Sequence, residues 1–162
     1  MISAAGALDV DYRTAVADYI QLGQLTQLIC RGDQSQVSAL FRLAVFNVLT
    51  ENEDDHLKNL SFLTEDGYGW RLSPGYDLTW SPSATGHRAT LVAGRSREVQ
   101  RADLWELARQ IGLSDRVARR VMCDVMGAVA QVREVLAECG CTGSVSREAG
   151  MAVRKRVQGI DS

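Results

Sequence analysis

The spacing of hydrophobic residues predicts two helices in the first third of the chain. Apolar residues recur every three or four positions over residues 15–30 and again over residues 35–50, which is the spacing that places them on one helix face. The short segment 31–33 interrupts this rhythm and separates the two helices. Residues 1–11 show no such period, and we expect them to form an irregular lead-in.

The hydrophobic period changes near residue 60. Residues 60–63 and 70–72 are short strand-like runs on either side of a turn-rich segment, and this combination predicts a β-hairpin. Helical spacing returns over residues 103–111 and 114–140, and residues 143–162 are expected to form a basic C-terminal helix or tail. The predicted fold class is therefore mainly α with one small β-hairpin.

Composition narrows the class of protein further. The chain has 162 residues, of which 46% are hydrophobic and 23% charged, and this is the make-up of a single folded domain spanning residues 1–162. The formal net charge of −2 gives no electrostatic basis for direct nucleic-acid binding. No apolar run approaches the roughly 18–20 residues of a membrane span, and no N-terminal segment has the pattern of a secretory signal. We therefore predict a cytoplasmic protein without membrane association.

The segment with the most varied chemistry is residues 52–59, between the second predicted helix and the hairpin. It holds three carboxylates, an imidazole, an ammonium group and two amides. A solvated helix end does not require so many different groups in eight residues. A further carboxylate, Asp77, lies just beyond the hairpin in the turn-rich segment 74–78. Asp55, in contrast to its neighbour Asp54, is expected to be a solvated or capping residue.

This arrangement resembles the active-site half of the protein kinase-like fold, and more narrowly the HipA-type serine/threonine kinase toxin family. The residues that carry the resemblance are Asp54-Asp55-His56-Leu57-Lys58-Asn59, Leu60-Ser61-Phe62-Leu63, Trp70-Arg71-Leu72 and Tyr76-Asp77-Leu78-Thr79. The resemblance covers roughly residues 12–138. It implies that the chain is the C-terminal helical lobe of such a kinase.

The resemblance also implies a role for each candidate residue. Asp54 corresponds to the catalytic base that accepts the proton of the attacking hydroxyl, while Asn59 and Asp77 correspond to ligands of the Mg²⁺ that bridges the phosphates of ATP. His56 and Lys58 are further catalytic candidates on the same loop. The position of His56 is often occupied by a cation near the transferred phosphate, and a structural hydrogen bond that holds the loop is an equally open role for it.

A complete member of that family also has an N-terminal lobe with a phosphate-covering loop and an ATP-binding lysine. Residues 1–162 contain neither: the only lysines are Lys58 and Lys155, and Gly67 and Gly69 lie in a predicted hairpin turn. We therefore expect ATP and Mg²⁺ to bind well only when a complementary N-terminal lobe is supplied. The isolated chain is predicted to be inactive or very weak.

The sequence leaves three functions open. In the first, the chain is part of a kinase of a toxin–antitoxin system, whose family partners are a HipB-like DNA-binding antitoxin and a protein substrate. In the second, the same lobe is a non-catalytic module that binds a partner. In the third, it belongs to a small-molecule phosphotransferase, since such enzymes share the aspartate–asparagine–aspartate pattern.

Overall fold

The computed structural model describes residues 1–13, 16–65, 68–141 and 143–161. Helices predominate in these residues, so the predicted class is confirmed. The helices are α1 (Ala4–Leu8), α2 (Tyr19–Ile29), α3 (Gln34–Leu49), α4 (Arg101–Gln110), α5 (Asp115–Ala130), α6 (Val132–Glu138) and α7 (Ser144–Asp161). The strands are β1 (Ile2–Ser3), β2 (Ala17–Asp18), β3 (Ser61–Leu63), β4 (Arg71–Leu72) and β5 (Thr90–Leu91).

Helix α3 packs against both α2 and α5, and α2 and α3 each have an aspartate as their N-cap. The Asp18 carboxylate accepts a hydrogen bond from Ile20 N at 2.8 Å, and the Gln21 side chain closes a capping box on Asp18. Asp33 accepts from Ser35 N at 2.9 Å. These caps satisfy amide groups that the first helical turn leaves unpaired. Helix α2 starts later than predicted because residues 17–18 instead form β2, which pairs in parallel with β5.

The predicted hairpin is present as β3 and β4, and β1 extends it into a three-stranded antiparallel sheet in the order β1-β3-β4. Residues 1–11 are therefore not an irregular lead-in. They form β1 and α1, with Ala4 and Ala5 buried. A two-residue strand and a five-residue helix are too short to produce a readable hydrophobic period, which explains the wrong expectation.

The helix predicted over residues 114–140 is two helices, which meet at Gln131. Helix α5 buries a stripe that includes Val121, Val125 and Val129, whereas no residue of α6 is fully buried. The C-terminal segment is the helix α7 rather than a tail. It packs against α5 and α6 and buries Val153 and Ile160.

Candidate functional site

The loop between α3 and β3 carries most of the candidate residues, and its side chains point in alternate directions. Asn52, Asp55 and Leu57 are buried, whereas Asp54 and Lys58 are exposed. The inward side chains anchor the loop to the core. The outward ones are left available to a ligand or partner.

Asp55 is the most extensively bonded residue of this loop. Its Oδ2 atom lies 2.8 Å from Nη2 of Arg88 and accepts a hydrogen bond from the Tyr19 hydroxyl at 3.1 Å. Its Oδ1 atom accepts from Thr90 N at 3.2 Å, and the Thr90 hydroxyl donates to the Asp55 carbonyl at 2.5 Å. The expectation that Asp55 would be a solvated or capping residue is wrong. It is the buried anion of the site.

A series of hydrogen bonds between hydroxyl and amide side chains connects the Asp55 carboxylate to α3. Asn47 Nδ2 donates to the Tyr19 hydroxyl at 2.9 Å, and Asn52 Nδ2 donates to Asn47 Oδ1 at 3.1 Å. The Ser81 hydroxyl then donates to Asn52 Oδ1 at 2.9 Å. Polar groups are buried at little cost only when they are paired in this way, so this series of hydrogen bonds holds the start of the loop in one conformation.

Burial changes the acid–base properties of this network. Burial raises the pKa of the Asp55 carboxyl, and the charge and hydrogen bond of Arg88 partly offset that rise. Burial also raises the pKa of the Tyr19 hydroxyl well above its usual value, with the negative charge of Asp55 adding to the effect. Tyr19 therefore stays protonated and acts as a donor to Asp55.

Asn59 folds back onto the residue five positions before it. Its Nδ2 atom donates to the Asp54 carbonyl oxygen at 3.1 Å, and its backbone amide donates to the His56 carbonyl at 2.8 Å. These two bonds close a turn that brings Asp54 and Asn59 together. Because the amide nitrogen of Asn59 is used within the loop, its Oδ1 atom is the end of the side chain that remains as an acceptor.

Tyr76 connects the segment that carries Asp77 to the same loop. The Tyr76 hydroxyl donates to the Lys58 carbonyl and lies 2.6 Å from the Ser61 hydroxyl. Asp77 itself is exposed and adopts the left-handed region with a φ of 54°. Aspartate is among the non-glycine residues that adopt this region most readily. The chain therefore places Asp77 one residue after a side chain that touches the backbone beside Asn59.

His56 and Lys58 both contact the ring of Tyr12. The His56 ring meets it edge-on with a centroid distance of 4.9 Å, and Lys58 Nζ lies 4.0 Å from the ring centroid. The Nδ1 atom of His56 is buried and has no hydrogen-bond partner among the described residues. The buried carboxylate of Asp55 pairs with Arg88 and not with Lys58, although Lys58 lies on the same loop.

A cavity of about 410 Å³ opens beside Asn59. It lies between α3, the hairpin and α5, and its wall is mostly aliphatic. Polar groups at its lining include Asn59, Ser61 and the ion pair between Arg42 and Asp124, which are 3.3 Å apart. Its volume is within the range of small-molecule sites.

The residues that sequence reasoning missed are Tyr19, Asn47 and Arg88. Two adjacent aspartates in a loop were a signal that one could be buried and would then need a cation. Sequence gave no means of choosing that cation among sixteen arginines. Asn47 carried a weaker signal, since it is an amide within a helix stripe that is otherwise apolar.

Comparison with known proteins identifies the family. A sequence profile described as the HipA-like C-terminal domain matches residues 1–133, and the chain belongs to this family, as the resemblance indicated. Among solved structures, the toxin–antitoxin system HipA of Shewanella oneidensis MR-1, in complex with HipB and its operator DNA, is similar in fold. The TM-score is 0.77 and the sequence identity 16%, over 97% of this chain. No curated protein matches the sequence.

The match covers less than half of the Shewanella oneidensis chain. This chain spans 42% of the length of the Shewanella oneidensis chain.

In the described part of the chain, none of the helices has the combined length and apolar character needed to cross a membrane. Within the same residues, no group of three or more histidine, cysteine, aspartate or glutamate side chains is arranged to hold a metal ion.

Proposed function

We propose that this chain is the catalytic-loop half of a HipA-type serine/threonine kinase, which transfers the γ-phosphoryl group of ATP to a protein hydroxyl. The observation that carries the proposal is the loop that closes Asp54 onto Asn59. That loop exposes the Asp54 side chain while it buries and pairs Asp55 next to it. An exposed carboxylate on a firmly held loop is what a positioned proton acceptor requires.

Asp54 is the residue that we assign to proton transfer. Its carboxylate would accept the proton of the serine or threonine hydroxyl as that oxygen attacks the phosphoryl group. The assignment of the neighbouring Asp55 to this role is disfavoured, because Asp55 is buried and its carboxylate is already bonded to Arg88, Tyr19 and Thr90.

The donor set fits Mg²⁺. Asn59 offers an amide oxygen and Asp77 a carboxylate, and Mg²⁺ in such sites is typically held by one or two protein oxygens together with phosphate oxygens and water. When bound, the ion supplies positive charge against the ATP phosphates. Two protein ligands alone would bind it weakly.

His56 and Lys58 are proposed to act from the same loop. Their shared contact with Tyr12 orients both side chains, with Lys58 on the face of the ring and His56 at its edge. Lys58 is exposed and would bring a positive charge to the phosphate side of the loop. His56 is only partly exposed, and its role is to hold the loop against Tyr12.

The function of the whole kinase requires a lobe that binds the nucleotide. We propose that residues 1–162 work with an N-terminal lobe of the HipA type that supplies the phosphate-covering loop and the lysine. We further propose a toxin–antitoxin setting with a HipB-like DNA-binding antitoxin as partner. The similar fold from Shewanella oneidensis, which is described with HipB and operator DNA, supports this setting.

Titration with Mg-ATP tests the proposal. We expect weak binding to residues 1–162 alone, because nothing in this sequence encloses the nucleotide phosphates, and tight binding when a HipA-type N-terminal lobe is supplied. Asn59→Ala and Asp77→Ala should each weaken Mg-ATP binding in the combined protein. Asp115→Asn, a change to an exposed carboxylate on α5, should leave it unchanged. Micromolar affinity of the isolated chain would contradict the proposal.

A further inference from the structure

We propose that Arg88 is a positioning residue, which fixes the backbone on both sides of Asp54 and thereby the direction of the Asp54 carboxylate. The proposal rests on the function proposed above for Asp54. Arg88 lies 34 positions further along the chain, on a segment that belongs to none of the sequence motifs of the site.

The geometry of Arg88 is that of a clamp across the loop. Its Nη2 atom donates to the Asn52 carbonyl at 2.8 Å and to the Asp55 carboxylate, also at 2.8 Å. One guanidinium nitrogen therefore holds the residue two positions before Asp54 and the residue directly after it. Since Asp54 is exposed, the position of its Cα atom depends on these flanking contacts together with the hydrogen bond from Asn59 Nδ2 to the Asp54 carbonyl.

The segment that carries Arg88 is itself tied to the loop. Glu53 N donates to the Ser81 carbonyl at 3.2 Å, and Ala89 N donates to the Glu53 carbonyl at 2.8 Å. The Glu53 carboxylate accepts from Ser83 N at 2.6 Å. Because residues on both sides of Arg88 are bonded to the loop, the arginine acts from a support that is fixed relative to Asp54.

The burial of the pair argues that its main contribution is geometric. The side chains of Arg88 and Asp55 are only 4% and 2% exposed. The Arg88 Nε atom is also buried and without a hydrogen-bond partner in the described residues. The desolvation of two buried charges often cancels their attraction, so such a pair adds little net stability compared with apolar residues. It does impose one arrangement on the groups that it joins.

This difference between stability and geometry provides the test. The double variant Arg88→Met with Asp55→Asn removes both buried charges, so we expect it to fold without an unpaired buried charge. The single variant Arg88→Met leaves Asp55 buried without its cation and should be less stable than the double variant. The control Arg109→Met removes an exposed arginine–glutamate pair on α4.

Hydrogen exchange of the backbone amides, measured on residues 1–162 without nucleotide, reads the position of the loop. In the folded double variant we expect exchange at the hydrogen-bonded amides of Glu53, Asn59 and Ala89 to rise by about tenfold or more, since the charge-assisted hydrogen bonds that hold this backbone are lost. Exchange in α5 should remain unchanged, and Arg109→Met should leave the loop unaffected. Unchanged exchange at Glu53, Asn59 and Ala89 would overturn the proposal.

Steady-state kinetics, measured with the N-terminal lobe supplied, shows how the loop affects catalysis. We expect kcat of the double variant to fall on the order of 100-fold, while KM for ATP stays within about twofold, because a displacement of about 1 Å is enough for such a loss. A folded double variant with wild-type kcat would overturn the proposal. If the wild type shows no Asp54-dependent transfer, the proposed function fails, and hydrogen exchange alone then decides whether Arg88 holds the loop.

Discussion

The Tyr19 hydroxyl is the point at which the buried network can be tested with the smallest change. It accepts a hydrogen bond from Asn47 Nδ2 at 2.9 Å and donates one to the Asp55 carboxylate at 3.1 Å. The substitution Tyr19→Phe removes this one oxygen atom and keeps the buried ring. Any loss of stability therefore reports on the two hydrogen bonds rather than on packing.

The magnitude follows from the partners that remain. The hydrogen bond to a charged carboxylate contributes about 1.5–3 kcal/mol, and an amide left buried without an acceptor costs about 1–3 kcal/mol. Asp55 keeps its bonds to Arg88 and Thr90, so the stabilisation lost with the Tyr19–Asp55 hydrogen bond is at the lower end of that range. We expect Tyr19→Phe to lower the free energy of unfolding by about 2–4 kcal/mol.

Urea unfolding measures this difference, with Tyr12→Phe as the matched control. This change keeps the ring of Tyr12, which contacts His56 and Lys58, and loss of its hydroxyl should change the free energy of unfolding by no more than about 0.5 kcal/mol. For a chain of this length, a loss of 3 kcal/mol corresponds to a melting temperature lower by roughly 6–12 °C. Equal and small effects of the two variants would refute the hydrogen-bond network described above.

Three further predictions concern stability. Gly23→Ala should destabilise the protein by about 1–3 kcal/mol, because the added Cβ would lie 2.3 Å from Ile111 Cγ2. Gly127→Ala, whose added Cβ would have no described atom within 4 Å, should stabilise α5 by about 0.5–1 kcal/mol. Thermal unfolding should show a lower melting temperature for the first variant and a higher one for the second. Burial raises the pKa of Asp55 above its ordinary 3.8, so the folded state binds this proton more tightly, and stability from this group falls as the pH rises above 3.8. Urea unfolding from about pH 4 to about pH 7 should show the wild type losing stability relative to Asp55→Asn, and a trend of the opposite sign would contradict the burial effect. Tyr76→Phe removes the hydroxyl that connects its segment to the loop and should cost about 1 kcal/mol in the same unfolding assay; no loss would mean that this connection is not made.

Sequence predicted two kinds of element: helices with long and regular hydrophobic periods, and a hairpin marked by a turn-rich segment between two short apolar runs. Helices α2 and α3 and the hairpin have the periodicity, the interrupting polar segments and the turn residues that such prediction needs. The break at Gln131 was missed, because apolar residues continue at helical spacing through α6 although they are no longer buried there. Burial depends on what packs against a helix, and the spacing within one helix does not contain that information.

The candidate site likewise has features that sequence predicts and features that depend on tertiary structure. The family pattern singled out Asp54, Asn59 and Asp77 as candidates, since their spacing along the chain is itself the signal, and their catalytic and metal-binding roles stay predictions. The contrast between the exposed Asp54 and the buried Asp55 could not be predicted, because it depends on Arg88 from a segment distant in sequence. Long-range pairs of this kind arise from tertiary structure alone.

Phosphoryl transfer that depends on Asp54 is the most direct test of the central claim that this chain carries the catalytic half of a HipA-type kinase. With a HipA-type N-terminal lobe supplied, labelled ATP and a serine- or threonine-containing protein acceptor, we expect transfer by the wild type and by Asp115→Asn. We expect Asp54→Asn to lower the rate by about 100-fold to 10,000-fold, the range of a lost general base. Transfer by Asp54→Asn at the wild-type rate, or Asp54-dependent turnover by residues 1–162 alone, would contradict the account.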